Sequence, residues 1–164
     1  MSSQNNRKIC DSGRMLLSLE KEGLSALRSG DYRTAIRSFS KIVEQMPSFE
    51  HGMIYYHLAC ALEELGEIEN ADANYRQALD YCADDVVRLG GYASFLYLYR
   101  DPADAFDTFL KLLRLQLDQG EIEISEKSVI ALKTLGERLG WSEQETIDHI
   151  QSRLTDRQRN QLAL

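Results

Sequence analysis

The sequence has little proline and no long apolar run. Only 2 of its 164 residues are proline, and Val, Ile and Thr are sparse beside Leu, Ala, Glu and Arg. Because proline breaks helices and β-branched residues favour strands, this composition favours an all-α fold. No stretch approaches the ~18 apolar residues that span a bilayer, so we expect no membrane segment.

Positive charge and cysteine are scarce as well. Nineteen Lys and Arg stand against 26 Asp and Glu, which gives a formal net charge of -7. An acidic surface repels phosphate backbones, so we expect no nucleic-acid partner. The three cysteines share no metal-type spacing, and an odd count without a signal-like apolar segment favours a reducing compartment. We therefore expect a cytoplasmic protein.

Motifs that carry catalysis are missing too. The sequence contains no GxSxG, no phosphate-binding glycine loop, no HExxH and no CxxC. His57, Cys60 and Glu64 are ligand-capable types that share one face of a predicted helix. One helix rarely supplies a complete site, and no partner His or Cys stands in register with them. We predict no metal, no cofactor and no enzymatic activity.

What the sequence does contain is an internal repeat. Similar segments begin at Gly30, Gly66 and Arg100, at intervals of 36 and 34 residues. Three columns of residues keep their register across the segments: Gly23, Ala59 and Ala93; Ala35, Ala71 and Ala105; Phe39, Tyr75 and Phe109. Each unit holds two stretches with apolar residues at three- and four-residue spacing around a tight turn, which predicts a pair of antiparallel helices.

These columns resemble the tetratricopeptide repeat, which has small residues at the helix crossing and an aromatic residue in the second helix. The resemblance implies an all-α solenoid of about seven to nine helices, stacked as a right-handed superhelix. The repeat domain would span residues 11–119. Its three units would lie at about 16–49, 52–85 and 86–119.

The two ends lack the repeat. Residues 1–10 show no periodicity and are predicted to form a disordered tail, with the first helix starting near Asp11. Residues 120–154 are predicted to form non-repeat capping helices, which a solenoid needs at its end. Residues 155–164 are predicted to form a polar tail.

Two local patterns support the capping helices. Four apolar residues form one helical stripe: Val129, Leu132, Leu135 and Leu139. Ser142 and Glu145 then have the spacing of a capping box, which predicts the start of another helix.

In this family the first helix of each pair lines a concave groove, where partners bind. The resemblance places these residues in the groove: Leu17, Glu20, Lys21, Leu24, Arg28, Met53, Tyr56, His57, Cys60, Glu63, Glu64, Val87, Gly91, Ser94 and Tyr97. Exposed aromatic and aliphatic side chains favour a protein partner, and the glutamates favour a neutral or basic one. Tyr56 and Tyr97 are the expected anchors, since both fall outside the packing columns. Alternatively, the C-terminal helices cover part of this face.

One subclass of tetratricopeptide domains grips the acidic C-terminal tails of heat-shock chaperones with a clamp of Lys, Asn and Arg side chains. The corresponding positions of this sequence hold Glu20, Leu24, His57, Val87 and Gly91. None of them matches, so we expect no carboxylate clamp.

The resemblance implies a non-enzymatic adaptor or scaffold that takes an extended or helical segment of another protein. The length and the three-repeat layout are also similar to the small secretion chaperones of bacterial type III systems. A further alternative is a structural subunit whose repeat face packs into a homo-oligomer. The chain would accordingly be a monomer or a homodimer.

Overall fold

The fold consists of helices throughout residues 2–162, the part of the chain that the computed structural model describes. In that range nine α-helices occur and no strand: α1 Ser2–Ser29, α2 Tyr32–Gln45, α3 Met53–Glu64, α4 Ile68–Tyr81, α5 Val86–Tyr99, α6 Pro102–Gln119, α7 Ile122–Arg138, α8 Glu143–Ser152 and α9 Asp156–Gln161. A short 3-10 helix, Phe49–Gly52, precedes α3. The predicted all-α fold is confirmed.

The helices form two compact units, Met1–Ala83 and Asp84–Leu164. In the first unit α1 packs on α2, α2 on α3, and α3 on α4. In the second unit α6 packs on α5, α7 and α9, and α7 also packs on α8. The third predicted repeat pair, α5 and α6, therefore shares its unit with the predicted capping helices.

The small residues of the repeat columns lie where helices cross. Ala35, Ala59, Ala71, Ala93 and Ala105 are all completely buried. At the remaining position, Gly23 of α1, a Cβ atom would lie only 2.5 Å from the ring of Phe39 on α2. The crossing excludes larger side chains because no space is left between the two helices.

The turns within the pairs are made in two ways. Gly30 has a φ of 78°, a left-handed conformation that glycine adopts at little cost. The third pair lacks a glycine at this place, and Arg100 is extended instead. The Asp101 carboxylate then accepts a hydrogen bond from the Ala103 backbone N–H at 2.8 Å, and Pro102 occupies the first turn of α6.

The N-terminal helix begins close to the start of the sequence. α1 begins at Ser2, inside the segment expected to be a disordered tail and ahead of the expected start near Asp11. This segment lacks apolar periodicity, but no proline or glycine precedes Gly13 to interrupt a helix.

The C-terminal helices follow the predicted patterns and extend them. Leu132 and Leu135 of α7 are fully buried. α8 begins with the predicted capping box, in which the Glu145 N–H donates to Ser142 Oγ at 3.2 Å. The segment expected to be a polar tail contains α9, where buried Gln158 donates a hydrogen bond from Nε2 to Asp118 Oδ1 at 2.9 Å. A polar side chain thus holds α9 against α6.

Candidate functional site

None of the predicted groove residues is fully buried, and they are divided between the two compact units. Those from Leu17 to Glu64 belong to the first compact unit, and those from Val87 to Tyr97 belong to the second. Each compact unit therefore contains its own part of the predicted groove residues.

In the first unit, several predicted groove residues hold α3 to α4. The Tyr75 hydroxyl donates a hydrogen bond to Glu63 Oε2 at 2.7 Å and lies 3.5 Å from Cys60 Sγ. The Tyr56 ring packs edge-on against the Tyr75 ring, with centroids 5.9 Å apart. Tyr56, which is not itself a member of the packing columns, thus contacts the aromatic column through Tyr75.

Burial controls the protonation of this cluster. Desolvation raises the pKa of the Cys60 thiol. Desolvation also raises the pKa of the Tyr75 hydroxyl, and the neighbouring Cys60 and Glu63 raise it further. Desolvation also raises the pKa of the Glu63 carboxyl, although the hydrogen bond from Tyr75 opposes that change. A thiol with a raised pKa is a poor nucleophile, so Cys60 contributes packing here.

His57 and Glu64 are directed to other neighbours. The His57 ring stacks on Phe39 with centroids 5.6 Å apart. Glu64 interacts with the Tyr32 hydroxyl on α2, and that hydrogen bond raises the pKa of Tyr32. Within residues 2–162, no group of three or more His, Cys, Asp or Glu side chains is placed to hold a metal ion.

In the second unit, α5 and α7 form the walls of a groove whose floor is α6. Two adjacent cavities of about 460 Å³ and about 360 Å³ lie along it. Both are bounded by Ser94 of α5, Phe109 of α6, and Lys127 and Ala131 of α7. We call this the α5–α7 groove; its remaining lining residues are Val86, Val87, Gly90, Tyr97, Leu98, Leu112, Gln116, Ser128, Ile130 and Thr134.

The α5–α7 groove has an unusually exposed apolar lining. Val87, Leu98 and Ile130 are 57%, 63% and 65% exposed. Among the side chains that the structure describes, these are the three most exposed large apolar residues, and all three line the groove. Exposed apolar side chains along a concave surface are a common feature of interaction sites.

Tyr97 is a fixed part of one wall. Its ring packs edge-on against Phe109, with centroids 6.3 Å apart. The Arg138 guanidinium lies 5.2 Å from the Tyr97 ring centroid, and Arg138 Nη1 donates a hydrogen bond to the Tyr97 carbonyl at 2.8 Å. Tyr97 therefore contacts the packing column as Tyr56 does, and it is held in place on both sides.

The sequence-based set captured part of this groove. Val87, Ser94 and Tyr97 of the predicted set line the groove. The predicted residue Gly91 is not among the lining residues, but its neighbour Gly90 is. The predicted set lacked Leu98 and every α7 residue, because the resemblance places only first helices in the groove. The signal that could have found Leu98 and Ile130 is an apolar residue that lies off the packing stripe of its helix.

Comparison with known proteins agrees with this architecture. Residues 54–85 match the tetratricopeptide repeat family. This match spans one helix pair, α3 and α4. No curated protein matches the sequence significantly. The predicted resemblance is confirmed, because the matched residues cover the second predicted unit.

A solved tetratricopeptide domain has a similar fold. The TPR2B domain of yeast Sti1, in its pHsp70 complex, superposes with a TM-score of 0.67 at 15% sequence identity. The match covers 76% of this chain and 98% of that domain. At this identity the likeness concerns the fold alone. Repeats of this kind stack into solenoids, whose concave surfaces bind other molecules in many proteins.

The helices give no sign of a membrane span. Between residues 2 and 162, none is both long and apolar enough to cross a bilayer.

Proposed function

We propose that the chain is a non-enzymatic adaptor that binds a helical or extended segment of another protein in the α5–α7 groove. The observation that carries this proposal is that Val87, Leu98 and Ile130, the three most exposed large apolar side chains described, all line the two adjacent cavities of this groove. A partner segment that covers them would remove this apolar area from water.

The size of the apolar area fits the role of an anchor site. Complete burial of an exposed Leu, Ile or Val side chain contributes about 1.5–3 kcal/mol. Since roughly six-tenths of each of the three side chains is exposed, each contributes about 1–2 kcal/mol on binding. The entropy lost on association offsets part of that gain in binding free energy. We therefore expect an interface of moderate affinity.

The length of the groove fits a short segment. Val87 and Leu98 are eleven residues apart on α5, so they are separated by about 16 Å along the helix axis. About three turns of a partner helix, or about five extended residues, cover that distance. Helices that bind in grooves use side chains at i, i+3 or i+4, and i+7, which span about 10 Å, so one further anchor at i+11 extends such a helix along the whole distance.

The walls of the groove also support binding without a large rearrangement. Tyr97 is fixed between Phe109 and Arg138, and Leu112 on the floor is buried. Preformed side chains lose little conformational freedom when a partner binds. The first unit offers less, because Tyr56, Cys60 and Glu63 are engaged in contacts within it.

The test is capture of partners from the native cell by three forms of the full chain. The wild type is compared with a Leu98→Ala, Ile130→Ala double variant, and with Leu65→Ala as a matched control. Leu65 is also exposed but lies at the end of α3, in the other compact unit. We expect the double variant to lose the partners and the control to keep them, at unchanged melting temperatures.

Two results would count against this function. If the double variant retains every partner, binding takes place on another surface. If light scattering shows a stable homo-oligomer that only the double variant dissociates, the groove is an interface between copies of this chain.

A further inference from the structure

We propose that the segment bound in the α5–α7 groove is apolar and carries a carboxylate side chain that pairs with Lys127. This inference rests on the proposed function of the groove and adds the chemistry of the partner. It follows from the charge, the hydrogen bonds and the position of a single lysine.

Lys127 is the one charged residue among those that line the two cavities of the groove. It borders both of them, on the α7 wall, and it is exposed. No carboxylate occurs in either lining, although the whole chain has 26 Asp and Glu residues and a net charge of -7. The groove therefore has the opposite charge to the chain as a whole.

Neighbouring cations are already engaged, whereas Lys127 is not. Lys133, also on α7, pairs with Glu143 at 3.2 Å. Arg138 is committed to Tyr97, and Lys111 of α6 lies 3.6 Å from Asp84. With the side chains that the structure describes, Lys127 forms neither an ion pair nor a hydrogen bond. Its ammonium group remains available to a ligand.

Two hydroxyl groups of the groove, those of Ser94 and Thr134, do not compete with Lys127 as donors. Ser94 Oγ donates to the Gly90 carbonyl at 2.9 Å, and Thr134 Oγ1 donates to the Ile130 carbonyl at 3.1 Å. Because a hydroxyl has only one hydrogen to donate, both donors are already used within their own helices. A carboxylate that enters the groove would find its donor at Lys127.

An occupant that fills both cavities comes close to Lys127, since this residue borders both of them. Covering an ammonium group without a partner costs desolvation energy, and a basic segment would add repulsion. A carboxylate offsets the desolvation and fixes the register of the segment. The apolar side chains on either side of it would then contact Leu98, Ile130 and Val87.

This arrangement differs from the clamp that recognises chaperone tails. The five clamp positions of the sequence hold no matching residue, and Lys127 lies on α7, outside the three predicted repeat units. The preference for an acidic segment also differs from the expectation of a neutral or basic partner. That expectation relied partly on Glu63, whose carboxylate accepts a hydrogen bond from Tyr75.

The test is selection from a displayed library of 16-residue amphipathic segments in which the charged positions are random. The bait is the full chain as the wild type, as Lys127→Glu, or as the Leu98→Ala, Ile130→Ala double variant. We expect the wild type to enrich segments that combine Asp or Glu with apolar anchors. Lys127→Glu should enrich Lys or Arg at the same positions, and the double variant should enrich none.

The strongest selected peptide is then measured by fluorescence anisotropy. Replacing its Glu or Asp by the amide should weaken binding to the wild type about fivefold, and Lys127→Gln should have the same effect on the unchanged peptide. The two changes together should weaken binding no further, because they remove the same pair. Lys41→Gln, an exposed lysine of α2, serves as the matched control and should change nothing.

The outcomes separate this inference from the proposed function. Two outcomes would overturn this inference alone. The selected segments could depend on Leu98 and Ile130 but show no preference for acidic residues, or they could show a preference that Lys127→Glu leaves intact. Selection of no segment, or of segments that bind the double variant equally well, would overturn the proposed function and this inference with it.

Discussion

Alanine in place of Gly23 should destabilise the protein even though alanine is the better helix former. In the interior of α1, glycine is less favourable than alanine by about 1 kcal/mol. A Cβ atom at residue 23, however, would lie 2.5 Å from Phe39 Cε1 and 2.9 Å from two further ring atoms. Phe39 is completely buried, so its ring has no open space into which to move.

The expected size of the effect follows from these two opposing contributions. Forcing an extra carbon into a packed site costs about 1–3 kcal/mol, from which the gain in helix propensity of about 1 kcal/mol is subtracted. The net loss in the free energy of unfolding should be about 0–2 kcal/mol. Gly13→Ala, in the same helix, is the matched control, because nothing lies within 4 Å of a Cβ atom there. It should stabilise the protein by up to about 1 kcal/mol.

Urea unfolding followed by circular dichroism measures both variants, and Phe39→Leu provides the rescue. Gly23→Ala should be tolerated better in the Phe39→Leu background, because the shorter side chain leaves space beside the new methyl group. If Gly23→Ala stabilises the protein as much as Gly13→Ala does, α1 and α2 do not approach closely at this residue. The packing argument for the repeat columns would then be refuted.

Two further changes test other parts of the fold. Because burial raises the pKa of the Glu63 carboxyl, the folded protein binds a proton at Glu63 more readily than the unfolded chain does. Glu63 should therefore stabilise the protein at acidic pH and lose that contribution as pH rises through its folded pKa. Glu63→Gln should flatten this part of the dependence of the urea midpoint on pH, and an unchanged profile would contradict the raised pKa of Glu63. Ser142→Ala removes the hydroxyl that accepts the Glu145 N–H, so it should lower the free energy of unfolding by about 1 kcal/mol, whereas Ser152→Ala, at the other end of α8, should have a smaller effect.

The two compact units use similar residues for different purposes. In the first unit the predicted groove residues Tyr56, Cys60 and Glu63 contact Tyr75 and hold α3 to α4. In the second unit, α7 lies beside the third helix pair and creates a groove whose apolar side chains remain exposed. A non-repeat helix therefore supplies one wall of the site that we propose for partner binding.

The sequence alone determined the features that depend on neighbours close in the chain. The periodic apolar residues predicted the helices and the tight turns within each pair, and Ser142 with Glu145 predicted the start of α8. The repeated columns also predicted which alanines are buried, because two helices joined by a short turn have little choice of packing.

The tertiary structure decided which apolar residues remain exposed and which polar residues become buried. Leu98 and Ile130 lie on different helices, and they border the same groove only because α5 and α7 both pack on α6. Gln158 is buried because its amide meets Asp118, forty residues earlier in the chain. Exposure of a side chain depends on atoms from distant parts of the chain, and local periodicity contains no information about them.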